Sequence, residues 1–594
     1  MNSTYFKNLL KDPLFWVLFS FVSISLAVDI RYRWRGKAKV EILAADGLGY
    51  YSYLPAFFLY DDPTFSYFKD INRKYKENDQ IGPFMTMVDD KLLNKYYYGE
   101  SLLVAPFFAG AHISGKIFHL DNDGYAAHYQ IAVSLAALFW VMFGLYFLAK
   151  YLANFVSKRT AAITVGLIYG GTNLFYYTVF EPSASHPYSF ALISAFIYFA
   201  HKSFQNNTAK SYLIIAFILS LSIIVRPSNA IVIFALPAIA GQWKVFLDWF
   251  IGAFKWNILP VALIMLGILI FPQAWFYKQQ TGHWWVYAYG NEKFHFLESH
   301  FLEVLAGFRV GLIVYSPVVA FAIIGLYMVI KKNMFQGIWL TAFVTFNIWL
   351  ISCWWMWHYE GTFGMRPLID HLAWWGLPLA LFIKALPKYY RQVVLTFMLF
   401  IVITNNVMAY ERFQAIIPWN YMNFEKYKFL LFNKRMKYAH LFTDKYYPDF
   451  PSNARTVSFM RINDGNQSEH EGLFLEKGKE NLLIKIPIDS LCEEGENLHI
   501  ATSMMWKFNH PHIEARMNVA TVNNGKVHYS NSIPLMISTP RTDEWNWFWF
   551  AFNTSDETLS GDTLKIWISE EHVSHQAWAD DLNITFAPFP KDIK

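Results

Sequence analysis

Cysteine is nearly absent from this chain, with only Cys353 and Cys492 in 594 residues. One lies at the edge of an apolar run and the other in a polar tail, so neither a disulfide framework nor a zinc site follows from the pair. Charge is scarce as well. Asp, Glu, Lys and Arg make up 16% of the residues, and the net charge of +5 is spread between loops. That distribution gives no argument for a nucleic-acid partner. Internal repeats and low-complexity segments are lacking too, which excludes solenoids and compositional tails. What the chain has in excess is apolar surface: 55% hydrophobic and 19% aromatic residues. Several windows stay apolar over the ~20 residues that a helix needs to cross a bilayer.

Eleven windows read as membrane helices: 13–28, 127–149, 160–179, 187–204, 211–225, 228–241, 257–276, 304–330, 337–353, 372–386 and 391–410. Lys7 and Lys11 precede the first, but no small-residue cleavage site follows it, so it is expected to be a retained helix rather than a signal peptide. The short connections after even-numbered windows carry Lys150, Lys158, Arg159, Lys202, Lys210, Lys244, Lys255, Lys331, Lys332, Lys388 and Arg391. The intervening ones carry only Arg226, Lys278, Lys293 and Arg366. The positive-inside rule then places the N-terminus in the cytoplasm and the C-terminal tail outside. The first loop, 29–126, opens with the basic run "RYRWRGKAK" on the outer side, but a loop this long escapes the rule. Those cations are expected to meet lipid phosphates. The stretch 99–118 holds Glu100, Pro106 and His112, and reads as a juxtamembrane segment rather than a twelfth span.

From residue 411 the pattern changes. Residues 411–452 read as an amphipathic connector on the membrane surface. Residues 453–594 alternate with period two in "NLLIKIPI", "NLHIATSMMW", "IEARMNVATV", "WNWFWFAF", "TLKIWIS" and "LNITFAP", separated by "NDGN", "NNGK" and "LSGD". This predicts an all-β sandwich, jelly-roll-like, behind a multi-span α-helical membrane domain.

The outer connections collect the rare ionisable residues. They hold Asp46, Glu181 and His186 in "FEPSASHP", and Arg226 in "IVRPSN". They also hold His283, Glu292, His295 and His300, then His358, Glu360, Arg366 and Asp370 in "WWMWHYEGTFGMRPLID", with Arg309 just inside a window. Taken singly, each is more often solvated scenery, and the tryptophans more often an interfacial belt. Gathered on one face, they describe a polar cavity in a costly place. Arginines hold phosphate through forked bonds, aromatic faces pack on sugars, and a carboxylate removes a proton from an attacking hydroxyl. A lipid-linked sugar phosphate presents all three features.

These residues resemble multi-span glycosyltransferases of the GT-C fold, the bacterial group related to protein mannosyltransferases and aminoarabinose transferases. "ADGLGYYSYLPAFFLYDDPTF" resembles their first outer loop and "YYYGESLLVAPFFAGAHI" its juxtamembrane helix. "LFYYTVFEPSASHPYSF" is similar to their second acidic turn, and "WWMWHYEGTFGMRPLID" to a late Gly-Arg motif. The resemblance covers residues 1–410. It implies Asp46 as catalytic base, Glu181 as the second acid and Arg366 as holder of the donor phosphate. Arg226 and Arg309 are further phosphate candidates, while His186, His358 and Glu360 line the pocket. Gly47 and Gly49 are expected to let the chain turn and aim Asp46. Gly47 stands where many protein-mannosylating relatives have a second acid, which departs from a paired-acid mechanism. Some members use a divalent metal, but no clustered carboxylates in this sequence assign one.

The implied activity is transfer of a sugar from a polyprenyl-phosphate donor to a glycan, lipid or protein acceptor at the outer face of a cytoplasmic membrane. The tail would recognise the acceptor, shield the cavity or simply cap the structure; "WADDLNITF" resembles a closing strand of carbohydrate-binding jelly rolls. Two other readings stand beside it: a transporter or flippase of a lipid-linked saccharide, and a membrane scaffold displaying the β domain. The first needs ionisable groups in the inner halves of the spans, which are few, and inverted internal symmetry, which is not seen.

Overall fold

The computed structural model describes residues 10–76, 84–88, 91–289, 292–359, 361–414 and scattered positions from 416 to 430. In the tail it describes 455–459, 473–475, 481–491, 496–509, 515–535, 545–553, 561–570 and 577–590. Most of the expected connector 411–452, the turn "NDGN", Cys492 and Glu360 lie outside these residues. The chain divides into two compact units. One holds 1–307, 311–357 and 364–409; the other holds 308–310, 358–363 and 410–594.

Every apolar window falls on helix, nearly all of it in the first unit, yet only some are unbroken. Among the described residues, six helices are long and apolar enough to cross a membrane: Pro13–Arg33, Ala127–Leu152, Leu259–Thr281, Met334–Ser352, Arg366–Ala385 and Lys388–Phe413. The first begins where Asp12 accepts the Leu14 amide at 2.9 Å and Pro13 takes the N1 position, a strong local start. The window 160–179 splits into Lys158–Gly170 and Leu174–Val179. The window 304–330 splits into Phe301–Ala306, Leu312–Tyr315 and Val318–Lys332. Pro227 and Pro367 each open a 3-10 turn, Pro227–Ala235 and Arg366–Trp375, before α-helix resumes. Proline lacks the amide of a regular helix, so these starts follow from the sequence although hydropathy hides them.

Helices Ala127–Leu152 and His186–Asn206 meet where a Cβ on Gly144 would strike the Ala191 backbone. In lipid, apolar burial gives little drive for helices to associate, so close approach at small residues supplies the contact. Leu263, Ile264, Ile268 and Phe271 of Leu259–Thr281 project outward, as a bilayer permits.

The long first loop is folded. It contains a π-turn Asp29–Arg33, short helices Ala45–Tyr51, Tyr53–Phe58 and Phe68–Lys76, and the helix Gly99–Ile117. It also has a hairpin absent from the sequence expectation, β1 (Met85–Val88) with β2 (Lys91–Asn94). Its strands are too short to register as alternation.

The described residues of the second unit carry nine further strands. They are β3 (Arg455–Phe459), β4 (Leu473–Phe474), β5 (Asn481–Pro487), β6 (Glu496–Phe508), β7 (Ala515–Asn523), β8 (Lys526–Pro534), β9 (Asn546–Asn553), β10 (Thr563–Glu570) and β11 (Ala577–Pro590). All ladders are antiparallel, in a four-stranded sheet ordered β5-β10-β7-β8 and a five-stranded one with the path β3-β11-β6-β9 and β4 beside β11. The alternation is literal in β10, where Leu564, Ile566 and Ile568 are buried and their neighbours are not. "NNGK" forms the β7–β8 hairpin with Asn524 and Gly525 both at positive φ, +47° and +82°. In the same unit, fully buried Arg412 donates to the Gly361 carbonyl at 2.6 Å, and Phe308 packs its ring on Phe424 at 5.0 Å.

Candidate active site

Asp46 sits in the first turn of Ala45–Tyr51, and that turn is shaped by its neighbours. Ala45, not a glycine, takes the positive φ (+44°) that starts the turn. Gly47 and Gly49 are helical, so the sequence expectation about them is corrected: they serve close packing rather than a tight turn. A Cβ on Gly47 would collide with Ser183 of "EPSASHP", and one on Gly49 with Tyr96 and Phe84. The missing side chains let the acidic turn and the hairpin close on Asp46 from two sides.

The carboxylate is held at both oxygens. Arg366 Nη2 lies 2.7 Å from Oδ2, and the Tyr96 hydroxyl donates to Oδ1 at 2.6 Å. The pair remains open to solvent, with the Asp46 side chain 30% and the Arg366 side chain 23% exposed. Burial alone would raise the Asp46 carboxyl, but Arg366 and the Tyr96 hydrogen bond outweigh it and hold it below the usual carboxylate range. Burial and the adjacent Asp46 charge push Tyr96 well above its ordinary value, so it stays a donor.

Tyr96 is fixed by the hairpin. Asn94 is fully buried, donates its side-chain amide to the Gly49 carbonyl at 2.9 Å and accepts the Tyr96 amide at 3.0 Å. Its backbone amide is accepted by Gln280 of the helix Leu259–Thr281 at 2.7 Å. Next to it, Lys95 pairs with Glu292 at 2.5 Å and lies over the Tyr289 ring, 5.1 Å from its centroid.

The second acid, Glu181, accepts the Tyr176 hydroxyl at 2.8 Å and lies within electrostatic reach of Arg366 and Arg33. Arg33 corrects another expectation. The π-turn turns it inward to 6% exposure, close to Asp29 and Glu181, so this member of the basic run does not face lipid.

A separate cluster is built on Asp370, one turn after Arg366 on the 3-10 segment. His186 Nδ1 lies 2.7 Å from Asp370 Oδ1 and Arg226 Nε 3.1 Å from Oδ2. A carboxylate beside Arg226 only accepts, so the His186 proton sits on Nδ1, and Nε2 accepts with Arg226 Nη1 3.5 Å away. Arg226 also donates to Ser185 at 3.2 Å. The Asp370 side chain is 2% exposed.

Asp46, Glu181, His186, Arg226 and Arg366 thus converge within the first unit, joined by Tyr96, Arg33 and Asp370, none of which is assigned to the site by the sequence reading. Arg309 and His358 belong to the second unit, and Glu360 lies outside the described residues. The described residues of the site do not fit a divalent cation. Both oxygens of Asp46 are taken by Arg366 and Tyr96, and among the described residues no three His, Cys, Asp or Glu side chains gather to hold a metal. Comparison with protein-family models gave no match, and neither did comparison with curated proteins.

Proposed function

We propose that the first unit is a glycosyltransferase. It moves a sugar from a polyprenyl-phosphate donor to an acceptor hydroxyl at the outer face of a cytoplasmic membrane. In this reading the chain has eleven spans, a cytoplasmic N-terminus and a jelly-roll-like tail in the periplasm. The observation that carries it is the partly exposed Asp46 clasped by Arg366 and Tyr96. An incidental scatter of outer charges, as a scaffold requires, gives no account of a carboxylate so held beside a second, buried ion cluster.

The chemistry is a direct displacement. An acceptor hydroxyl approaches Asp46 and gives up its proton to the carboxylate while its oxygen bonds the anomeric carbon. The bond from that carbon to the phosphate oxygen breaks, and the sugar inverts. Arg366, whose pairing loosens as Asp46 is protonated, turns its remaining N–H groups to the leaving phosphate. Holding Asp46 below the usual carboxylate range keeps it ionised at neutral pH, at some loss of basicity, and Tyr96 fixes its aim.

The test is sugar transfer from a panel of undecaprenyl-phosphate-linked sugars by the purified protein in lipid vesicles. Wild type is expected to transfer one of them and Asp46→Asn to be inactive while remaining folded. Full turnover by that variant would sink the assignment of the base.

A further inference from the structure

One carboxyl group has no task so far. Glu100, second residue of the helix Gly99–Ile117, is completely buried, and neither of its oxygens has a hydrogen-bond partner among the described residues. A carboxyl in that condition is costly unless it is neutral or awaits a ligand. Its position is fixed by packing. Gly99 lacks the Cβ that would strike the Ile224–Val225 backbone, so the helix start presses against the residues just before Arg226. Among the described residues, four titratable or charged side chains interact with Glu100: Arg226 after the helix Ala209–Val225, Asp46 and Tyr50 from Ala45–Tyr51, and Tyr188 from His186–Asn206.

The charges around it leave a gap that a proton would close. Among the described residues, four cations of the site already face acids: Arg366 faces Asp46, Arg226 faces Asp370, Lys95 faces Glu292, and Arg33 faces Asp29 and Glu181. A sugar phosphate diester carries one negative charge, and the monoester that leaves carries two, its second ionisation lying near pH 6. Protonation of Asp46 during the transfer releases one positive charge, on Arg366. Among these described cations none is left for the second negative charge.

We propose that Glu100 is the proton donor to the leaving phosphate. The inference rests on the glycosyl-transfer reading. The acceptor proton goes to Asp46, the new C–O bond forms and the C–O bond to phosphate breaks with its electron pair on the phosphate oxygen. The Glu100 O–H then passes its proton to that phosphate, leaving a Glu100 carboxylate facing Arg226. Asp46, which is open to solvent, returns its proton to bulk, and Glu100 regains a proton once the phosphate has left and vacated the site. Burial pushes the Glu100 carboxyl well above its ordinary range, so a proton is present to give.

The probe is undecaprenyl phosphate alone, added near pH 8, where the free monoester is a dianion. Binding is followed by phosphorus NMR and protonation by infrared difference spectroscopy. In wild type, binding should bleach one carboxylic-acid carbonyl band. In Glu100→Gln the phosphate should still bind with no bleach, and Glu100→Asp should restore part of the bleach. Turnover in Glu100→Gln should fall about 100-fold with little change in donor KM. Binding without bleaching in wild type overturns the proposal, as does an unchanged bleach in Glu100→Gln. Failure of wild type to bind undecaprenyl phosphate at all instead removes the phosphate site, and with it the transfer reading.

Discussion

Two ion clusters hang from one short segment, Arg366–Trp375, and they are built for different work. At its start Arg366 reaches Asp46 in a setting a quarter to a third open to solvent. One turn later Asp370 is sealed between His186 and Arg226. An open pair contributes little stability and can exchange a partner for substrate, whereas a sealed pair cannot lose one member without stranding the other. The difference assigns chemistry to Asp46 and architecture to Asp370, whose role is to hold Arg226 and the His186 tautomer in place.

Paired variants put that division at risk. Asp46→Asn should lower sugar transfer by about 10³- to 10⁴-fold, the range of a lost general base, while unfolding stability drops only about 1 kcal/mol. Asp370→Asn should reverse the pattern in kind. It should cost about 3–5 kcal/mol of stability in thermal or denaturant unfolding in detergent, because Arg226 keeps its charge without its carboxylate. Equal stability losses for the two variants would erase the distinction.

Much of this was legible before any coordinates. Apolar window length located helix at all eleven places, and period-two alternation located β5, β6, β7, β9, β10 and β11. Asp46, Glu181, His186, Arg226 and Arg366 stand out because ionisable residues near membrane spans are rare. Their pairing was not legible, since Asp46 and Arg366 sit at opposite ends of the unit's sequence. Tyr96 is hidden among three consecutive tyrosines that only a folded hairpin tells apart. Arg33 is hidden in a basic run, since a π-turn leaves no periodic trace. Glu100 served only as a reason to doubt a span. Sequence adjacency was the weakest guide: His358, eight residues before Arg366, belongs to the other unit.

Packing around the open cluster gives a smaller effect. Gly47→Ala places a methyl group against the Ser183 side chain and carbonyl, and should cost about 1–3 kcal/mol by overpacking. Transfer should fall together with stability, because the displaced turn carries Asp46. A variant as stable as wild type with full transfer would show that the acidic turn yields freely, and the packing account of Gly47 would fail.

A last effect, read per unit of pH, separates Glu100 from both clusters. Its carboxyl is raised above its ordinary value of 4.5 chiefly by burial, with Arg226 pulling the other way and Asp46 adding to the rise. Above that ordinary value the unfolded chain has released the proton and the folded chain has not, so the native state binds more protons. Stability is then highest below pH ~4.5 and falls as pH rises, by about 1.4 kcal/mol per unit, until the folded group itself ionises. Asp46, lowered instead, has the opposite sign: its contribution is present above its ordinary value of 3.8 and is lost as pH falls through the folded value. Unfolding free energies of wild type and Glu100→Gln at pH 5, 6 and 7 isolate the first term. The variant should gain on wild type as pH rises, by at most about 1.4 kcal/mol per unit. A constant difference would mean that Glu100 is already ionised in the folded protein, a carboxylate beside Arg226 with no proton to donate.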